Sequence, residues 1–203
     1  MLRRQAIGVV VFVCLASCSD EAGVPHPDPI PDPLRIRLTG LPPIGPGGKV
    51  DVVGLDGSVA GAGTVTLESS LAQVEATSTG QGSFAATIEA RPDELLRIRF
   101  GESDSVEKRV TKLGITAPRP PEPIAGTPPV TSLGGGKVQV EGQSHAGAGK
   151  TVIGANFSNG DIATATTAPD GSFKLELQAT SGESLQVHVD GDPLGPGWAL
   201  TVP

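Results

Sequence analysis

Four sequence blocks occur twice, in the same order, and this duplication constrains the fold more than any other feature of the 203-residue chain. Gly47-Gly48-Lys49-Val50-Asp51-Val52-Val53-Gly54 matches Gly135-Gly136-Lys137-Val138-Gln139-Val140-Glu141-Gly142, and Ala60-Gly61-Ala62-Gly63 matches Ala146-Gly147-Ala148-Gly149. Gly82-Ser83-Phe84-Ala85-Ala86-Thr87-Ile88 then corresponds to Gly171-Ser172-Phe173-Lys174-Leu175-Glu176-Leu177, and Glu94 to Phe100 corresponds to Glu183 to Val189. Within the blocks apolar residues alternate with polar ones, which is the period of a half-buried strand. Phe173, Leu175 and Leu177 are expected inside, with Lys174 and Glu176 outside. Leu185, Val187 and Val189 repeat the pattern. Asp170-Gly171 supplies a tight turn, since glycine accepts positive φ without a steric penalty. The one stretch with a helical look, Ser69 to Ala76, aligns with strand-like Asn159 to Thr166 and is therefore read as β.

Short strands separated by turn signals predict an all-β chain of two tandem antiparallel β-sandwiches, residues 34–116 and 131–203, each with a modest core. A proline-rich linker, residues 117–130, joins them. It holds Pro118, Pro120, Pro121, Pro123, Pro128 and Pro129. Ahead of the first sandwich, prolines at 25, 27, 29, 31 and 33 alternate strictly, which predicts a stiff tether over 18–33 rising by about 3.1 Å per residue. Tether and linker together predict a rod, with the second sandwich beyond the first.

The repeated blocks resemble a bacterial Ig-like repeat family, whose pattern runs Val-x-Val-x-Gly, Ala-Gly-Ala, Asp-Gly-Ser-Phe and Gly-Glu-x-Leu-x-Val. The second copy follows it closely. The first departs at Gly80-Gln81-Gly82, where the Asp-Gly turn is replaced. Carboxypeptidase regulatory-like sandwiches share the Gly-x-Phe turn and are the near alternative. Both resemblances imply Ig-like architecture and carry no catalytic residue.

At the N-terminus, Arg3 and Arg4 precede an apolar run from Ala6 to Ala16, too short for the roughly 30 Å hydrocarbon core, which needs about 20 residues. The run ends in Leu15-Ala16-Ser17-Cys18, which resembles a bacterial lipobox. The resemblance implies a signal peptide over residues 1–17, cleavage between Ser17 and Cys18, and lipidation of the Cys18 thiol. The bland reading is an ordinary secretory signal with an A-x-A-like site. Acyl chains contribute about 0.8 kcal/mol per buried methylene, so several chains anchor durably. Ser19 after the cysteine implies outer-membrane sorting, by likeness to enteric lipoproteins. Loss of Arg3, Arg4 and Cys14 moves the formal charge from −7 to −9 and leaves one cysteine, already acylated, so folding rests on apolar cores without disulfides.

The remaining motifs argue against chemistry. Ser144-His145-Ala146-Gly147-Ala148-Gly149-Lys150-Thr151 approaches a phosphate loop, but lacks the first glycine and leads into a strand, not a helix. Gly142 to Ala146 likewise lacks the final glycine of a hydrolase elbow. His26, His145 and His188 fall in the tether, a loop and the polar face of a strand, with no zinc spacing among them. Asp190 and Asp192 flank Gly191 and offer two oxygens where calcium wants six to eight, so they read as a solvated turn. Trp198 alternates with Leu200 and Val202 and is expected in the core of the last strand. No metal, cofactor, nucleotide or enzymatic activity is expected.

Charge separates the copies: nine basic and ten acidic groups in 34–116, three and seven in 131–203. Arg35 and Arg37, and Arg97 and Arg99, alternate with apolar residues and should face outward. If their strands share a sheet, four guanidinium groups form a face suited to envelope phosphates or carboxylates; otherwise they are a solvated edge with local ion pairs. Nucleic acid is disfavoured by the acidic total and the missing aromatic platform. The sequence thus predicts a non-enzymatic envelope lipoprotein, a stalk or adhesion module with an envelope protein or glycan partner. The alternative is a scaffold subunit of an envelope or secretion complex, docking through a sheet edge.

Overall fold

A computed structural model describes residues 28–40, 47–111, 126–143, 146–191, 193–195 and 197–203. Leu15-Ala16-Ser17-Cys18, His26, Ser144, His145, Asp192 and residues 117–125 lie outside the described residues.

Fourteen strands are described, and all their pairings are antiparallel. The first seven are β1 (Ile36–Leu38), β2 (Gly48–Gly54), β3 (Gly63–Glu68), β4 (Gln73–Ser78), β5 (Phe84–Ala90), β6 (Leu95–Phe100) and β7 (Val106–Arg109). They form sheets ordered β1-β2-β5 and β4-β3-β6-β7. The second seven are β8 (Val130–Gly134), β9 (Lys137–Gly142), β10 (Thr151–Asn156), β11 (Ile162–Thr166), β12 (Phe173–Gln178), β13 (Ser184–Val189) and β14 (Gly197–Thr201), in sheets β12-β9-β8 and β11-β10-β13-β14. The two halves therefore have the same layout strand for strand. Of the stretch with a helical look, Ser69 to Ala76, residues 73–76 lie in strand β4 and residues 69–72 in the turn before it.

Each half closes over its own aliphatic core. Ile36, Val50, Val52, Leu67, Ile88, Leu96 and Ile98 fill the first. Val138, Val140, Val152, Leu175, Leu177, Leu185 and Val187 fill the second, where Trp198 packs against Phe173 with ring centroids 6.2 Å apart. Trp198, Leu200 and Val202 are buried, as their alternation predicts.

Two of the repeated blocks prove to be one packing unit. Gly54 pairs across the strands with Phe84, and Gly142 with Phe173. A β-carbon on Gly54 would lie 2.2 Å from the Phe84 ring, and one on Gly142 2.1 Å from the Phe173 ring. The glycine ending Val-x-Val-x-Gly is thus there because the phenylalanine of Gly-Ser-Phe lies over it. The preceding turns match too. Gly82 and Gly171 have φ of 78° and 79°, and each donates its N–H back to residue i−3, Thr79 and Ala168 respectively. Gly80-Gln81-Gly82 makes the same turn as the Asp-Gly sequence, because only its last residue needs positive φ.

Two expectations change. Residues 28–33, assigned to a free tether, are seated on the first sandwich: Asp28 accepts from the Glu102 N–H at 3.0 Å, and the Asp32 N–H donates to the Ser58 carbonyl at 2.8 Å. The rod is also absent. A third apolar cluster, Val53, Ala85, Ile153, Ala155 and Leu194, with Leu55, Phe157 and Ile162 packed against it, joins the β1-β2-β5 sheet of one sandwich to the β11-β10-β13-β14 sheet of the other. The sandwiches lie face to face, because each presents apolar residues on a second face as well as toward its own core.

Candidate functional site

The junction is built from ordinary strand geometry. In β2 and β5 the burial pattern loses its alternation at Val53 and Ala85, and in β10 at Ile153 and Ala155. A strand buried on both faces reads as a continuous apolar run, and Val52-Val53, Ala85-Ala86 and Val152-Ile153 are such runs. That is the signal in the sequence that alternation alone passes over.

Comparing the copies at equivalent positions shows how the docking faces are specified. Val53 and Ala85 are cross-strand partners in the first sandwich. Their counterparts Glu141 and Lys174 are also partners, and there they form an exposed ion pair at 2.9 Å. On the other sheet the relation reverses. Thr66, Glu68, Gln73, Arg97 and Arg99 cover the outer face of β4-β3-β6 in the first copy, and Ile153, Ala155, Ile162, Gln186 and His188 take the same register positions in the second. Each copy thus carries apolar residues on one outer face where its counterpart is polar, and these two faces meet. The contact is heterologous, of the kind that propagates unless its outer faces are polar, as they are here.

Polar contacts fix the register of the junction. Arg37 Nε donates to Asp190 Oδ1 at 2.9 Å, half-buried on both sides, and Arg37 Nη1 donates to the Leu34 carbonyl at 2.6 Å. The Leu194 N–H donates to the Leu38 carbonyl at 2.8 Å, which carries the β13–β14 loop onto β1. Asp190 is therefore an ion-pair partner of Arg37, not part of a free solvated turn. His188 is also placed differently from its expected polar face. It is 9% exposed, with Nδ1 3.2 Å from the Gly195 carbonyl, because the same loop folds over it.

The four arginines do not share a face. Arg37 lies in β1 at the edge of β1-β2-β5 and Arg35 in the 3-10 turn just before it, whereas Arg97 and Arg99 lie on β6 in the opposite sheet. Arg35 pairs with Asp32 at 3.4 Å and donates to the Asp56 carbonyl at 2.7 Å. Arg97 Nε lies 3.5 Å from Glu107 Oε1, and its other cross-strand neighbour is Glu68. Arg97 and Arg99 do share a shallow hollow with Thr66, Glu68, Ser103 and Asp104, but its acids offset its bases. The phosphate-loop-like segment that ends at Thr151 leads into β10, where the motif would need a helix. Among the described residues no group of three or more His, Cys, Asp or Glu side chains is placed to hold a metal.

One polar knot reinforces the second sandwich. Asn156, fully buried, donates from Nδ2 to the Gln178 carbonyl at 2.8 Å and to Glu183 Oε2 at 2.9 Å, and its Oδ1 accepts the Ser158 N–H at 2.9 Å. The Thr180 N–H, the largest influence, and the Asn156 amide hold the Glu183 carboxyl below its usual 4.5. A carboxyl with a lowered folded value adds stability that is complete above the unfolded value and lost as pH falls through the folded one. Glu183→Gln is therefore expected to flatten the acid limb of the second sandwich's urea stability below about pH 4.5. An unchanged limb would show that the knot adds nothing.

Comparison of the chain with protein-family models and with curated proteins returns no match.

Proposed function

We propose that the chain is a lipid-anchored, non-enzymatic protein of the bacterial cell envelope, sorted to the outer membrane, whose two Ig-like sandwiches form a binding head. The observation that carries the anchor is Leu15-Ala16-Ser17-Cys18 at the end of a short apolar run behind Arg3 and Arg4. Cys18 receives the acyl chains, and the segment between Cys18 and Asp28, with Pro25 and Pro27 in it, carries the head off the bilayer. The docked sandwiches favour a compact head over an extended stalk, since the second copy adds surface beside the first instead of reach beyond it. The head would engage an envelope protein.

Metabolic fatty-acid labelling tests the anchor. The wild type is expected to be labelled and Cys18→Ala to lose essentially all label and leave the membrane fraction; equal labelling of both would overturn the lipobox reading. A second reading, an accessory subunit of an envelope or secretion complex, is favoured by the free strand edges at the cleft between the sandwiches. A stoichiometric partner recovered after mild crosslinking supports the subunit, and its absence supports a free-standing module.

A further inference from the structure

The two edges of the β4-β3-β6-β7 sheet are not equally protected. β7 has four residues, three of them charged: Glu107, Lys108 and Arg109. Short length and charge are the usual devices that keep an edge from pairing with another chain. β4 has six residues, no proline and one charge, Glu75. It pairs only with β3, and the neighbouring edge strand β5 pairs only with β2, its Glu89 carbonyl also accepting from Ser69 Oγ at 2.6 Å. Alternate backbone N–H and C=O groups of both strands therefore point away from their sheets.

These two edges border a cleft of about 420 Å³. Val74, Ala76 and Ala86 give it an apolar floor, and Phe157 and Ser158, in the turn after β10, supply a wall from the other sandwich. Gly160 closes one end. Its φ is 74°, and a β-carbon there would lie 2.7 Å from the Thr77 carbonyl, so only glycine brings the turn this close to β4. The Glu75 side chain is exposed, makes no hydrogen bond or ion pair among the described residues, and is the lone charged one lining the cleft.

We propose that this cleft binds an extended polypeptide segment of a partner protein, which adds a strand along β4 and sets a basic side chain against Glu75. An unpaired strand edge repeats donors and acceptors at the spacing that another extended main chain complements. Side chains on one face of the added strand enter the apolar floor. The charge of the lining, one acid and no base, selects lysine or arginine in the partner. Because Phe157 belongs to the second sandwich, the site is complete only when the sandwiches are docked. The inference deepens the binding-head reading and leaves the anchor, tested at Cys18, independent of it.

The test is selection of a displayed random octapeptide library on the full chain, with counter-selection on Ser158→Trp, which fills the cleft from an exposed turn position. Recovered peptides are expected to alternate apolar residues and carry a lysine or arginine. They should bind Ser158→Trp at least tenfold more weakly, and shift preference to acidic residues with Glu75→Arg. Binding is expected to slow amide exchange along β4, and N-methylation of alternate peptide nitrogens to abolish it. Recovery of no peptides, or of peptides that bind Ser158→Trp and the wild type equally, would overturn the proposal.

Discussion

Val53→Glu combined with Ala85→Lys is expected to separate the two sandwiches while leaving each of them folded. The pair is native to the scaffold: Glu141 and Lys174 occupy the equivalent register in the second copy and form an ion pair at 2.9 Å on an exposed surface. Within sandwich 1 the substitution is therefore compatible with strand pairing. At the junction it is not, because Val53 and Ala85 are buried against Ile153, Ala155 and Leu194. Docking would strip water from two charges, at several kcal/mol per ion, and their mutual attraction would not recover it. The expected loss is on the order of 3 kcal/mol or more of junction free energy. Small-angle scattering should change from a compact to a dumbbell profile, while circular dichroism keeps its β signature. The reverse exchange, Glu141→Val with Lys174→Ala, is expected to change stability by less than about 1 kcal/mol, since an exposed ion pair contributes little. A Val53→Glu/Ala85→Lys protein that stays compact would show that the apolar cluster does not hold the halves together.

Gly142→Val should have the largest effect on a single sandwich. Its first added carbon would meet the Phe173 ring at 2.1 Å, and Phe173 is itself held against Trp198. Because the Phe173 ring lies directly over the position, the strand must shift or the ring must leave its place against Trp198. Overpacking of this kind costs about 1–3 kcal/mol and occasionally more, and valine is expected at or above the upper end. Urea unfolding of the second sandwich should move to lower concentration while the first is unaffected. Gly142→Ala with Phe173→Leu should recover part of the loss, as expected for two residues in direct contact. Gly80→Ala is the control. A β-carbon at Gly80 meets nothing within 4 Å, so that change is expected to be neutral or mildly stabilising.

Much of this fold was legible in the sequence because its information is local. Alternation identified the strand faces at Phe173-Lys174-Leu175-Glu176-Leu177 and at Leu96 to Phe100, since a half-buried strand writes its orientation into every second residue. The repeated order of blocks identified two copies of one layout. What alternation does not carry is a second buried face. Val52-Val53, Ala85-Ala86 and Val152-Ile153 read as interruptions of a pattern, and their meaning appears only when each copy is compared with the other at the same register. There, Val53 at the position equivalent to Glu141, and Ile153 at the position equivalent to Thr66, are the residues that report the junction.

The arginine face failed for a related reason. Alternation correctly turned Arg37 and Arg99 away from the cores, but sheet membership depends on pairing between distant segments, and β1 and β6 belong to opposite sheets. Alternation with the inward-facing Val187 and Val189 puts His188 on the polar face of its strand. The loop that covers it reaches back from Leu194 to the Leu38 carbonyl, a contact across 156 positions that no local pattern encodes. The cleft beside β4 depends on the same long-range event, since its wall at Phe157 comes from the other sandwich.

The docked arrangement underlies both the compact head and the cleft, and a methyl-labelled nuclear Overhauser spectrum of the intact chain tests it most directly. Cross-peaks are expected between the Ile153 δ1 methyl and the methyl groups of Val53, Ala85 or Leu194, at strengths comparable to those within each core. Strong cross-peaks within the two cores with none between Ile153 and either Val53 or Ala85 would contradict it.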